Sequence, residues 1–304
     1  MDRPDFLVEF PGGSFFKKAN ILRISKHVHS LWLEFEIKLD AGTSVPRFVT
    51  SYIIESQNKL LLVDTALKQS ASTIFDYIHS IGRKPIEIET VINTHSHFDH
   101  IGGNQIFLEE TRPQFYAHGL EVPFIEDIAL QHRERPVGAM VENVAGSVSV
   151  NKTIDEGNTI IHEELEIQVF HTPGHSSGSI SLFIPEDGVF ICGDVLPEEG
   201  TLPIYEDVDA TLSSLEKIKK MERIDTLLSS LSRKVTRGQN VIGHLNSGEN
   251  YLEKIQGLVD KFKSEKKESV PVKEMAELIF KELTLPESGI MPIVLTSISA
   301  HCKD

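Results

Sequence analysis

Thr94-His95-Ser96-His97-Phe98-Asp99-His100-Ile101-Gly102-Gly103 carries the decisive pattern of this chain, H-x-H-x-D-H closed by two glycines. In an extended segment, residues two apart point to the same side, so His95 and His97 can share one cation. Once the chain turns, Asp99 and His100 become available to a second cation nearby. Gly102 and Gly103 then allow the backbone to turn tightly beside the ions. A loop of unrelated polar residues is the plain alternative, and the regular spacing counts against it.

The segments around this motif read as strands and helices that lead into it. Residues 86–92 alternate and then become continuously apolar, which predicts a strand running into the core with His95 just past its end. Upstream, residues 48–55 are β-branched and aromatic, Gln57-Asn58 marks a turn, and Leu60-Leu61-Leu62-Val63 predicts a buried strand ending at Asp64-Thr65. Residues 69–82 carry Ile74, Tyr77, Ile78 and Ile81 at helical spacing and close at Gly82. Downstream, a helix follows Gly103, then a strand over 114–117, then a stretch over 119–145 that predicts a helical excursion over a pocket. A second strand-rich half covers roughly 147–195, with residues 165–170 alternating cleanly and a hairpin over 180–192. Asp209 is the expected cap of a helix carrying Leu212, Leu215 and Ile218 on one face.

Further donors stand at the ends of these predicted strands. His171-Thr172-Pro173-Gly174-His175 follows a strong strand, and Pro-Gly redirects the chain so that His175 is presented at the strand end, with His171 left to packing. Cys192-Gly193-Asp194 delivers a carboxylate after another apolar strand, and its two oxygens can bridge two cations. Cys192 itself reads as a small buried residue. Val241-Ile242-Gly243-His244 again places a histidine after a short apolar run.

Taken in order, Asp64, the 95–100 motif, His175, Asp194 and His244 resemble the metallo-β-lactamase superfamily, and the resemblance spans roughly residues 50–245. It implies an α/β fold, an αββα sandwich with the metals at one edge of the paired sheets. It also implies that His95, His97 and His175 hold one ion, that Asp99, His100 and His244 hold the other, that Asp194 bridges them, and that Asp64 orders the metal-bearing loop. The expected cofactors are therefore two divalent ions. Zinc suits a nitrogen-rich site, and iron and manganese also bind such sets. The resemblance to glyoxalase II-like and lactonase-like branches implies attack on a small carbonyl substrate, a thioester, lactone or related ester, by a hydroxide between the metals. Asp99 is expected to orient that hydroxide. Tyr205, a short loop beyond Asp194, is a candidate substrate hydrogen-bond donor or else an anchored aromatic.

Composition bounds these readings. The 304 residues suit one catalytic domain, over 1–250, with a short helical C-terminal extension over 251–304. A formal net charge of −15 weighs against nucleic acid as partner, because polynucleotide affinity comes mostly from Lys and Arg on phosphate. A nuclease or phosphodiesterase of the same fold is the main alternative, and a persulfide oxygenase with one metal is a third. Cys192 and Cys302 do not suggest a disulfide framework. No apolar run suits a membrane span, and residues 1–5 lack the order of a secretion signal, so a cytoplasmic location is the expectation. A small-molecule substrate is expected, and a homo-oligomer is left open.

Overall fold

A strand covered on both faces is apolar without a break, whereas one covered on a single face alternates. Both patterns organise this chain. The computed structural model describes residues 20–38, 44–135, 140–266 and 270–303. Strands β1 (Asn20–Arg23), β2 (Val28–Lys38), β3 (Ser44–Glu55), β4 (Leu60–Val63), β5 (Ile88–Ile92), β6 (Gln114–Ala117) and β7 (Lys152–Thr153) form, in that order, a seven-stranded sheet. Strands β8 (Thr159–His162), β9 (Leu165–His171), β10 (Ile180–Ile184), β11 (Val189–Ile191), β12 (Thr226–Leu228) and β13 (Thr236–Arg237) form a six-stranded sheet in the reverse order.

The helices are α1 (Ala71–Ser80), α2 (Phe98–Ile101), α3 (Asn104–Thr111), α4 (Val122–Glu126), α5 (Ile128–Glu134), α6 (Met140–Asn143), α7 (Val208–Lys219), α8 (Asn240–Lys266), α9 (Val272–Glu282) and α10 (Pro292–His301). Three apolar layers separate sheets and helices. Leu61 and Val63 of β4 point inward with Ile54 and Ile92, against Ile167, Val169, Leu182 and Ile191 of the second sheet. Leu60 and Leu62 point the other way, onto Ile74, Ile78 and Phe107 of α1 and α3. On the far side, Phe183 and Phe190 meet Leu215, Ile218, Val241 and Leu245 of α7 and α8. The architecture is the expected αββα sandwich.

Local differences from the sequence reading have physical causes. Residues 85–87 form a short 3-10 turn opened by Pro85, so β5 begins two residues later than the alternation suggested. β7, within the expected second strand-rich half, pairs with β6 and completes the first sheet. The cap of α7 is Asp207, whose carboxylate accepts from the Ala210 amide at 2.9 Å. Asp209 lies two residues too late and sits inside the helix.

Helix α8 runs through residue 250, where a boundary between catalytic domain and extension was expected. Its first half packs on the sandwich through Val241, Leu245 and Leu252, and its second half packs on α9 and α10 through Ile255, Val259 and Phe262. One element therefore belongs to both cores. Of the N-terminal stretch, residues 1–5 lie outside the described residues. No helix among those described is long and apolar enough to cross a membrane.

Candidate metal centre

The parallel strands β4 and β5 end side by side, and so do β9, β11 and β12 of the second sheet. Asp64 stands one residue past β4, in a left-handed backbone conformation (φ 59) that a side chain with a Cβ adopts only at a cost. Its carboxylate repays that strain with three contacts. Oδ1 accepts from the Thr94 amide at 2.8 Å, Oδ2 accepts from the Thr94 hydroxyl at 2.7 Å, and Oδ2 lies 2.8 Å from His100 Nδ1. Asp64 thus fixes both ends of the H-x-H-x-D-H loop, as the resemblance implied. Gly102 has an ordinary helical φ of −57, so it is not needed for a tight turn. It is needed for clearance, because a Cβ there would lie 2.6 Å from the Asn143 carbonyl oxygen and 2.7 Å from that of Phe98.

Three imidazoles converge at the end of β5 and β9. His95 Nε2 lies 3.0 Å from His97 Nδ1, and His175 Nε2 lies 2.8 Å from the same atom. Polar nitrogens buried this close need a shared partner, and a tetrahedral ion bound at about 2.0–2.1 Å holds its ligands close to this spacing. His175 Nδ1 lies 2.7 Å from the Ile204 carbonyl oxygen, so Nδ1 carries the proton and Nε2 presents its lone pair to the cluster. Burial holds His95 and His97 well below the usual imidazole range, and neighbouring imidazoles add to this. Burial lowers His175 too. All three are therefore neutral and ready to donate lone pairs near pH 7.

Asp194 reaches the same point from β11. Burial pushes its carboxyl up, but His100 and His175 outweigh that and hold it below the usual range. Oδ2 lies 3.4 Å from His100 Nε2 and 3.5 Å from His175 Nε2, while Oδ1 is buried with no hydrogen-bond partner among the described residues. An orphaned carboxylate oxygen beside converging nitrogens is the donor chemistry a divalent cation requires. His95, His97 and His175 form one group able to hold an ion, and His95, His100 and Asp194 form another. Asp99 lies on the wall of the cavity with His97 and Asp194, and burial raises its carboxyl.

Two expected site residues are not brought to the cluster. His244 lies in α8 with both ring nitrogens engaged, Nδ1 at 2.7 Å from Thr236 Oγ1 and Nε2 at 2.6 Å from Glu198 Oε1. The helix starts too early for His244 to stand at a strand end. Tyr205 is buried with its hydroxyl 2.7 Å from His301 Nε2 in α10, an anchoring contact, and it lines a second cavity with His97 and His175. His171 packs as expected, its ring stacked on His118 at 4.3 Å. Burial pushes the Cys192 thiol up, so it is inert.

Sequence reading missed the residue that clamps the two histidine loops together. Glu121 is fully buried. It accepts from the Ser96 amide and hydroxyl, from the Ser176 hydroxyl at 2.8 Å and from the Gly178 amide at 2.9 Å, and it pairs with Arg135 at 3.2 Å. Burial pushes its carboxyl up, but Arg135 and these donors outweigh that and keep it ionised. Its partners lie 25 and 55 residues away, so no local signal marks it. Arg135 also reaches Glu206 at 2.9 Å, tying the excursion over 119–135 to the loop after Asp194.

The cluster floors a cavity of about 340 Å³. Phe35 and Phe48 of the first sheet, Leu202 and Ile204 of the loop after Asp194, and Met291 and Ile293 near the C-terminus line it. The start of α10 and the segment before it therefore build part of the wall.

The chain is similar to known proteins. The metallo-beta-lactamase superfamily profile matches residues 44–226. The chain is 25% identical over 171 residues to the beta-lactamase-like protein 2 homolog of Caenorhabditis elegans, covering 56% of this chain and 52% of that protein. It is 26% identical over 152 residues to a hydroxyacylglutathione hydrolase of Synechococcus, covering 50% of this chain and 51% of the relative. The chain thus spans about half the length of these curated relatives. The crystal structure of a metallo-beta-lactamase family protein from Thermus thermophilus superposes with a TM-score of 0.67 at 16% identity, over 90% of this chain and 91% of that one. With the profile covering most of the sandwich and the histidine motif inside it, the chain belongs to the metallo-beta-lactamase superfamily.

Proposed function

We propose that this chain is a metal-dependent hydrolase of small carbonyl substrates, a thioester, lactone or related ester. One observation carries the reading: three lone-pair-bearing nitrogens and an unpartnered Asp194 oxygen meet at the floor of a mostly apolar cavity. His95, His97 and His175, with Asp194, would hold one divalent ion, and zinc fits that donor set best. The second ion of the expected pair would take Asp99, His100 and the remaining Asp194 oxygen. When bound, such ions lower the pKa of a water and polarise a substrate oxygen.

The chain's own groups supply the rest. Asp99 faces the cavity with its carboxyl raised by burial, so it can take the proton of the attacking water and return it to the leaving group. Glu121 and Asp64 hold the two histidine loops in register, which keeps the attack geometry fixed. The apolar walls exclude water and accept the acyl part of the substrate. The apolar lining and the charge of −15 favour this reading over a phosphodiesterase acting on polynucleotides. A hydroxyacylglutathione hydrolase among the relatives also supports a thioester.

Elemental analysis of purified protein, paired with a panel of thioester, lactone, β-lactam and phosphodiester substrates, tests the proposal. Turnover of thioester or lactone that chelation abolishes and zinc restores is expected. Metal-loaded protein that turns over only the phosphodiester, or nothing in the panel, would contradict it.

A further inference from the structure

Strand ends along one edge of the sandwich deliver the donors: β4 leads to Asp64, β5 to His95, β9 to His175 and β11 to Asp194. β12 is the next strand in line. It runs parallel to β11 with Ile191 opposite Leu228, so its loop emerges at the same edge. The two exits are stitched together, since the Cys192 amide donates to the Leu228 carbonyl and the Ser230 amide donates to the Gly193 carbonyl, each at 2.9 Å. This loop reads Ser229-Ser230-Leu231, with no imidazole and no carboxylate. Leu231 lines the cavity alongside Asp99 and Asp194.

The position beside His100 is therefore poor in donors. His100 Nδ1 is taken by Asp64, leaving Nε2, 3.4 Å from Asp194 Oδ2, as its one nitrogen toward the site. Asp194 and His95, which the first position already uses, complete the group, and Asp99 stands on the same cavity wall. His244 does not supplement it, because Thr236 and Glu198 hold both its nitrogens.

We infer that the centre is unequal: the three-imidazole position binds an ion tightly, and the position beside His100 has no nitrogen donor of its own beyond His100, because Leu231 occupies the place where β12 reaches the rim. This inference rests on the site being a metal-dependent hydrolase. Second-position affinity should be lower by about 100-fold, the upper end of what loss of even an outer-sphere partner costs a metal site.

Zinc titration of metal-stripped protein, with bound metal counted by mass spectrometry after dialysis, reads this directly. The unmodified chain should retain one equivalent and take up a second only weakly. Leu231→His should retain two, whereas Leu231→Ala, which opens the same space without a donor, should stay at one. His244→Ala should leave the count unchanged. Two equally tight equivalents in the unmodified chain would overturn the inference on their own, whether or not Leu231→His folds. A Leu231→His protein that melts cooperatively yet retains one equivalent would overturn it as well. Two tight ions with hydrolysis intact leaves the proposed function standing, while a chain that binds no zinc and hydrolyses nothing removes that function too.

Discussion

His95, His97 and His175 on one side of Asp194 and Asp99 and His100 on the other are the same kinds of side chain at nearly the same depth, but their polar atoms are used differently. On the first side, neutral imidazoles point lone pairs at one another, and Asp194 leaves an oxygen unpaired beside them. Among the described residues those imidazole nitrogens face chiefly one another and that oxygen has no partner, so the arrangement favours a guest. On the second side His100 sits between two carboxylates, Asp64 and Asp194. Burial works against a protonated His100, but Asp194 and Asp64 outweigh it and raise its pKa well above the ordinary value. Geometry that leaves polar atoms unpaired marks the tighter binding position, and geometry that is already neutralised marks the weaker one.

The sharpest way to break this comparison is to remove one member from each side. His97→Ala should release the metal and lower hydrolysis by roughly 10³-fold or more, about 4 kcal/mol of barrier. His100→Ala should cost less, on the order of 10–100-fold, and leave the tight ion in place. Steady-state rates with metal counts check both, and equal losses would erase the distinction between the two sides.

Glu121→Ala comes next, with its largest effect on stability. The variant leaves Arg135 without its buried partner and frees the Ser96 and Ser176 loops, so unfolding in urea should show a loss of about 3–5 kcal/mol. Glu121→Gln keeps the shape without the charge and should fall between. A Glu121→Ala protein as stable as the parent would show that the clamp is dispensable.

Acid separates the sides more gently. Burial lowers the folded-state values of His95, His97 and His175, and burial takes His301 down to about 4. Below about pH 6.5 the unfolded chain therefore binds more protons than the folded one, and stability must fall as pH falls. His100 acts in the opposite sense, since its raised value stabilises the fold below pH 6.5 and that contribution is lost at alkaline pH. With several lowered histidines against one raised, metal-free protein should unfold at lower urea at pH 5.5 than at pH 7.5. A midpoint that rises on acidification would refute this balance.

The smallest effect is expected at Tyr205. Tyr205→Phe removes one hydrogen bond to His301 and should cost about 1 kcal/mol of stability, with the Michaelis constant unchanged within about twofold. A large rise in the Michaelis constant would restore the substrate-donor reading.

The sequence disclosed those parts of the molecule that depend on local periodicity. The run 60–63, the alternation over 165–170 and the hairpin over 180–192 gave strands where the structure has β4, β9, β10 and β11, because apolar layers cover β4, β10 and β11 on both faces and β9 fully on one. Spacing alone brought His95 and His97 together, and a Pro-Gly turn brought His175 to them. What stayed hidden depends on distant partners. His244 looked like a ligand because it follows an apolar run and a glycine, but that run is the first turn of a 27-residue helix. Glu121 looked like an ordinary acid in a helical stretch. Leu231 looked like nothing at all, since an apolar residue at a strand exit matters only once its neighbours are known to carry donors.

Anomalous diffraction at the zinc edge, on crystals of the zinc-loaded protein, tests the central claim most directly. The account predicts a strong peak at about 2.0–2.2 Å from His95 Nε2, His97 Nδ1 and His175 Nε2, with an Asp194 oxygen alongside. A zinc-loaded crystal with no peak among those three nitrogens, or with its metal held elsewhere, would contradict it.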